Sequence, residues 1–371
     1  KKKELKREED IDLTGIPETT CLYYDDYKKS EFTARVLKID GERVVLDQTL
    51  FYPRSGGQEN DTGTLGGCRV YDVIKIGPHV IHKVEKPNFK VNEIVNGKID
   101  MERRIQLTQH HTAAHIINYA ARKVLGKHVN QAGAYKDVEK GRLDISHYES
   151  LSLDEIRKIE AEANKVVKMG IEVESKFMSR RAAEDKYGMG IYQGPAVPGK
   201  ILRIISIKDI DTEACGGTHL KNTSEAGKII ITKTSKISDA VVRIEFKAGK
   251  AAEVEIQENI KIIKEIGEIL GIKDFSAKNV INKVNLLFNA WKRIRKLSKK
   301  ETLMEKDIEE IKSIKRNLID KEIIPLNEED VQIIISEISN ILRTQKEHIV
   351  KTIKRFKDQI DENLRKIGPM V

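Results

Sequence analysis

Apolar and polar positions change rhythm twice along this chain. Between about residues 31 and 90 they alternate, or run β-branched, in short stretches: EFTARVLKI, RVVLDQTLF, CRVYDVIKI and VIHKVE. A period of two sends successive side chains to opposite faces of a strand, and Asp40-Gly41 is a hairpin signal. Several short strands at this spacing predict a small β-barrel. The intervening FYPRSGGQENDTGTLGG, residues 51–67, is too rich in glycine to read as a strand.

From Met101 the period lengthens to that of a helix. In QLTQHHTAAHIINYAARKVLG one face carries Leu107, Ala114, Ile117, Ala121 and Val124 or Leu125, and Gly126 reads as a C-terminal stop. A strand-like RLDISHY follows, then an amphipathic helix, LDEIRKIEAEANKVVKMG, with Ser152 as its N-cap. ILRIISI, KIIITKTSKI and VVRIEFK read as strands of a sheet. Helices beside grouped strands make an α+β fold.

Beyond Lys250 glycine nearly vanishes. Ile, Leu and Val recur at helical spacing among Lys and Glu as far as about Lys366. Breaks at Gly271, around Asp274 to Ser276, and at Pro325-Leu326-Asn327 predict three or four helices in a hairpin or short bundle. A solvated helical linker is the plainer alternative. The predicted architecture is thus α+β in three parts: a β-barrel with a Gly-rich loop over 1–98, an α+β core over 99–249, and a helical region over 250–371.

Composition adds limits. The 371 residues allow two or three domains, each able to bury a core. Lys plus Arg is 67 against 58 for Asp plus Glu, a net charge of +9 that suits a polyanionic partner without requiring one. Cys21, Cys68 and Cys215 are far apart and form no CxxC pair, which fits the reducing cytoplasm better than a disulfide framework. No apolar run is long enough to span a membrane, and no signal peptide is visible. The opening KKKELKREED reads as the tail of an upstream helix, so the chain is expected to be a piece of a larger protein.

Candidate chemistry rests on two short motifs, HTAAH and CGGTH. Residues four apart on a helix differ by about 40° around the axis, so His111 and His115 share a face, whereas His110 and His115 diverge by about 140°. Cys215 and His219 flank Gly216-Gly217-Thr218, where a tight turn can return thiolate and imidazole to one point. Three imidazoles and one thiolate are a zinc-type donor set. A helical His pair alone is weak, and Cys215 could be a buried structural cysteine beside a surface histidine. Successive backbone N–H groups at Gly216, Gly217 and Thr218 could also steady an oxyanion.

HTAAH, CGGTH and FYPRSGGQENDTG together resemble the editing domain of alanyl-tRNA synthetases and the related AlaX-type deacylases. VLGKHVNQAGAY, RLDISH and VVRIEF resemble further segments of that family in the same order, and IDLTGIPETTCLYYDDY and LLFNAWKRIRKLSKK resemble its archaeal-type flanks. The resemblance implies one zinc ion per chain on His111, His115, Cys215 and His219, with His219 the most labile. It implies hydrolysis of serine or glycine esters of tRNA(Ala). It places Gln131 and Thr112 near the pocket, assigns Asp144 and His147 a looser role there, and makes Gln58 positional rather than catalytic. GGQ also occurs in peptide release factors, but three residues carry little weight against the longer match. Arg180, Arg181, Lys292, Arg293 and Arg295 are candidate tRNA contacts, and the helical region is a candidate for homodimerisation. The family's aminoacylation domain, with its ATP site, and its Gly-rich module after the helices are expected to lie outside this sequence. Three other readings stand: a free-standing deacylase, a zinc-stabilised tRNA-binding and dimerisation module without activity, and a metallohydrolase acting on a small ester.

Overall fold

The structure, a computed structural model, describes residues 11–193, 199–299 and 323–367. The charged opening of residues 1–10 and the helical reading of 300–322 lie outside the described residues. The chain divides into two units, Lys1–Ala252 and Glu253–Val371.

In the first unit a short parallel pair joins β1 (Thr20–Cys21) to β4 (Gln48–Thr49). The alternating segments become β2 (Glu31–Asp40), β3 (Arg43–Leu46), β6 (Cys68–Ile76) and β7 (His79–Val84). With β5 (Gly63–Leu65) and β8 (Ile94–Ile99) they pair cyclically, in the order β2-β3-β7-β6-β5-β8, into a closed barrel. Its interior is filled by Val36, Val44, Leu46, Phe51, Leu65, Val73 and Val80. The Gly-rich segment corrects the sequence reading, because β5 lies within it. Gly63 admits this strand by its missing side chain: a Cβ there would fall 2.0 Å from the Lys98 carbonyl oxygen.

Helix α1 (Met101–Leu125) starts at Asp100, whose side chain accepts from the Arg103 N–H, and ends at Gly126. It is a buried core helix, with every residue from Gln106 to Asn118 except Gln109 buried. Ala and Ile at its contacts let it approach a four-stranded antiparallel sheet closely. That sheet has the order β14-β15-β10-β9: Ile229–Ser238, Val241–Ala248, Gly141–Ser146 and Gln131–Lys136. Helix α2 (Leu153–Met169) shares this core through Ile159, Ala163 and Val166. Ser152 caps it in a full capping box with Glu155. A second sheet of β11 (Val173–Ser179), β12 (Ile201–Ile207) and β13 (Asp211–Ala214) carries the short helix α3 (Arg180–Tyr187).

Barrel and α1 are tied together by a buried ion pair. The Arg104 Nε donates to both Asp61 carboxylate oxygens at 3.0 Å, and its Nη1 reaches the Tyr27 carbonyl. The Tyr52 N–H donates to the same carboxylate. Both charged side chains are fully buried, a situation that is stable only with such complete hydrogen bonding. The pair fixes the Gly-rich loop against the helix.

In the second unit, α4 (Lys250–Leu270), α5 (Ala277–Leu297), α6 (Val331–Leu342) and α7 (Ile349–Ile367) are helical among the described residues. Helix α5 packs on both α6 and α7, and Val284, Leu287, Ile294, Ile334, Ile338, Ile353 and Phe356 share one apolar core. The sole tryptophan, Trp291, stacks on Phe356 with ring centroids 4.2 Å apart and donates to the Gln359 Oε1.

Candidate metal centre

Helical spacing puts His111 and His115 on one face of α1, with ring centroids 5.7 Å apart. His110 turns elsewhere: its Nδ1 meets the Asp137 carbonyl oxygen at 2.7 Å, and its ring stands edge-on to Phe246. Cys215 follows β13, its N–H still pairing with the Arg203 carbonyl of β12 at 3.0 Å. The chain then turns through Gly216-Gly217-Thr218 and returns His219. The donor atoms of His111, His115, Cys215 and His219 all lie within 4.8 Å of one another. The Cys215 Sγ is 3.2 Å from the His111 Nε2 and 3.4 Å from the His219 Nε2. Tetrahedral zinc with its usual bond lengths would hold N and S about 3.5 Å apart. The set fits that ion.

Each imidazole is oriented through its other nitrogen. His111 Nδ1 is 2.6 Å from the Gln58 Oε1, His115 Nδ1 is 2.8 Å from the Asp211 Oδ2, and His219 Nδ1 is 3.2 Å from the Thr112 hydroxyl. A proton on each Nδ1 satisfies these acceptors and leaves Nε2 as the free lone pair, the arrangement that fixes ligating histidines. Glu213 also approaches the His115 Nδ1, at 3.2 Å.

Gln58 owes its place to the loop that precedes it. Gly56 and Gly57 have φ of +58° and +71°, and a Cβ on Gly57 would fall 2.0 Å from the Ala134 carbonyl oxygen. The loop therefore runs along the edge of β9, with the Lys136 N–H bonded to the Gly57 carbonyl. The buried Gln58 then accepts from the Thr218 N–H at 3.2 Å and donates to the Thr218 hydroxyl at 2.9 Å. The expected turn forms and returns His219 to Cys215, and Gly217 adds room to it. Neither it nor Gly216 has a positive φ; a Cβ on Gly217 would lie 1.9 Å from the His111 ring, so the residue supplies room.

Charge follows burial. Desolvation, with the Lys136 charge second, pushes His111 well below the ordinary imidazole range, and burial with His111 nearby does the same to His219. Both are held neutral, as ligands must be. Burial alone would raise the Cys215 thiol, but His219 and His115 outweigh it and hold the group well down, toward thiolate. Burial opposes charge on His115 too; Glu213, Asp211 and Cys215 together carry it well above the usual value. Lys136 is buried with its Nζ 3.4 Å from the His111 Nε2, and desolvation lowers its pKa to about 8.

The other predicted residues are more scattered. Thr112 accepts from the Leu220 N–H and anchors His219. The Thr218 N–H is committed to Gln58, so Thr218 does not offer the oxyanion donor expected of it. Gln131 begins β9, its N–H bonded to Gln193. Five extended residues, about 17 Å, separate it from Lys136 at the cluster. Asp144 makes a two-point ion pair with Arg243, and His147 pairs with His128 at 2.9 Å; neither touches the four donors. Arg180 is bound to Tyr192 and the Gly199 carbonyl, while Arg181 is exposed beside Asp185. Lys292 and Arg295 lie over the Phe288 and Trp291 rings. Arg293 belongs to α5.

Sequence reasoning missed Asp211, Glu213, Lys136 and Arg203. The period of two from Cys215 back through Glu213 to Asp211 is the signal that would have found the first two. A cavity of about 420 Å³, walled in part by Tyr24, Tyr27, Lys176 and Arg203, opens beside His219.

Residues 202–245, which hold β12, β13 and the Cys215–His219 loop, match the family described as "Threonyl and Alanyl tRNA synthetase second additional domain". Residues 2–103, the barrel region, match "tRNA synthetases class II (A)". The chain is 43% identical over 304 residues to an alanine–tRNA ligase of Pyrococcus abyssi, covering 80% of this chain and 33% of that protein. For the alanine–tRNA ligases of Methanococcus vannielii and Methanocella arvoryzae the identities are 44% and 46%, over 76% and 77% of this chain and 31% and 32% of theirs. The chain thus spans about a third of the length of the curated relatives it matches.

Proposed function

From the premise that the chain belongs to the alanine–tRNA ligase family, we propose that it hydrolyses the ester of serine or glycine mischarged onto tRNA(Ala). The observation that carries this reading is the convergence of three outward-anchored imidazoles on one thiolate. His111, His115, Cys215 and His219 would hold one zinc ion, which when bound supplies Lewis-acid polarisation of the ester carbonyl. Gln58, Asp211 and Thr112 keep the imidazoles in register. The Gly216 and Gly217 N–H groups have no hydrogen-bond acceptor among the described residues, and are the donors available to a developing oxyanion.

A second, hydrolytic site answers a limit of size. A pocket shaped for alanine cannot exclude glycine, and shape alone discriminates modestly against serine. We assign this role to the core, residues 99–249, with the barrel of residues 1–98 supplying Gln58. The helical region, 250–371, is assigned to tRNA contact or self-association, and the work of the protein to the cytoplasm.

The test is to incubate the chain with Ser-tRNA(Ala) and Ala-tRNA(Ala), with and without a chelator. Selective, chelator-sensitive loss of serine is the expected result. Cys215→Ala should release the metal and abolish that loss; full activity in the metal-free variant would sink the reading. One observation favours a second reading, a zinc-held tRNA-binding module without activity: four protein donors already complete a tetrahedron. Firm tRNA binding and retained zinc without ester hydrolysis would select it.

A further inference from the structure

Arg203 and Tyr24 stand outside the donor set, yet they hold the loop that carries Cys215. The Arg203 Nη1 donates to the Cys215 carbonyl at 3.2 Å and to the Gly217 carbonyl at 2.7 Å. The Tyr24 hydroxyl donates to the intervening Gly216 carbonyl at 3.0 Å. The guanidinium lies over the Tyr24 ring, 4.7 Å from its centroid, so the two side chains form one brace. Three consecutive carbonyls are therefore gripped by it. In a trans peptide the C=O and the following N–H point in opposite directions. The Gly217 carbonyl goes to Arg203, and the Thr218 N–H of the same peptide goes to Gln58, against His111. The same logic turns the Gly216 and Gly217 N–H groups away from the brace, and neither finds an acceptor among the described residues.

We propose that Arg203 and Tyr24 are positioning residues that preorganise the Gly216 and Gly217 amides for an anionic tetrahedral species. They act by pinning the opposite ends of those peptides and are not among the four metal-binding donors. This rests on the hydrolytic reading of the site. Arg203→Lys keeps the positive charge but replaces the planar Nη1 that reaches both carbonyls with an ammonium on a shorter side chain. Tyr24→Phe keeps the ring and loses the hydroxyl.

The full chain, zinc-loaded, should be measured three ways for wild type and both variants: zinc content, kcat and KM on Ser-tRNA(Ala), and affinity for two probes. The probes are serinamide, which is neutral at the reacting carbon, and a seryl phosphonate, which carries a tetrahedral anion. Arg203→Lys should keep zinc, the unfolding midpoint and KM, while kcat falls about 100-fold, the effect of losing an oxyanion donor. Phosphonate affinity should fall with kcat and serinamide affinity should not; Tyr24→Phe should follow with a smaller loss. Zinc lost in parallel with kcat, or both probes weakened equally, would overturn the proposal, as would an unchanged kcat. If wild type hydrolyses no seryl ester, the function fails on its own account. The brace then stands if Arg203→Lys selectively weakens the phosphonate, and falls if it does not.

Discussion

At the scale of single residues, the centre depends on neighbours that donate nothing to a metal. Gln58 holds the His111 tautomer, and removing such an outer partner typically costs about 10- to 100-fold in metal affinity. Gln58→Ala is expected to weaken zinc by that factor in a chelator competition, and an unchanged affinity would deny Gln58 its orienting role. Gly217→Ala tests space instead of hydrogen bonding. Its methyl group would collide with the His111 ring, so zinc content measured after dialysis should drop well below one per chain; a full complement would mean the loop yields. His111 was legible over His110 because helical spacing is rigid arithmetic. Lys136 was not, since a lysine in QAGAYK gives no hint that its amine will be buried beside an imidazole.

At the scale of elements, legibility followed the strength of the periodic signal. The barrel strands β2 and β6, and helix α2 with its capping box, alternate or repeat over enough residues to declare themselves. β13 is four residues, DTEA, three of them polar; its strand character comes from pairing with β12, and so Asp211 and Glu213 stayed hidden. β5 was hidden inside glycines. The barrel also carries a testable pH response. His82 on β7 is fully buried, its Nδ1 3.1 Å from the Val44 carbonyl oxygen and its Nε2 2.8 Å from the Thr49 hydroxyl, and desolvation lowers its pKa to about 4. Between pH 6.5 and about 4 the unfolded chain binds a proton that the folded chain refuses. Stability should therefore fall as pH falls through that window, by on the order of 3 kcal/mol from this residue. Urea midpoints of the metal-free chain at pH 7 and 4.5 should show a smaller acid loss in His82→Gln than in wild type. Equal losses would remove His82 as a cause; burial holds His110 down to about 4 as well, so some loss should remain.

At the scale of the whole molecule, a net charge of +9 suits the polyanionic partner proposed above. Affinity for tRNA should fall steeply with salt, each phosphate contact contributing a little under one unit to the log–log slope. Arg181, whose side chain is 93% exposed, is one of the proposed contacts, and Arg181→Ala should lower the slope by about one if it touches a phosphate. An unchanged slope removes it from the interface. The two units differ in what builds them: buried polar bonds and a donor cluster in the first, an almost wholly apolar helical core in the second. Trp291, stacked on Phe356, is the only indole in the chain. Ultraviolet emission excited at the red edge will therefore report the helical unit alone, while the absorption of a cobalt ion substituted at the thiolate would report the other. One sample carries two optical channels, and the order in which they change on heating will tell whether the units melt separately.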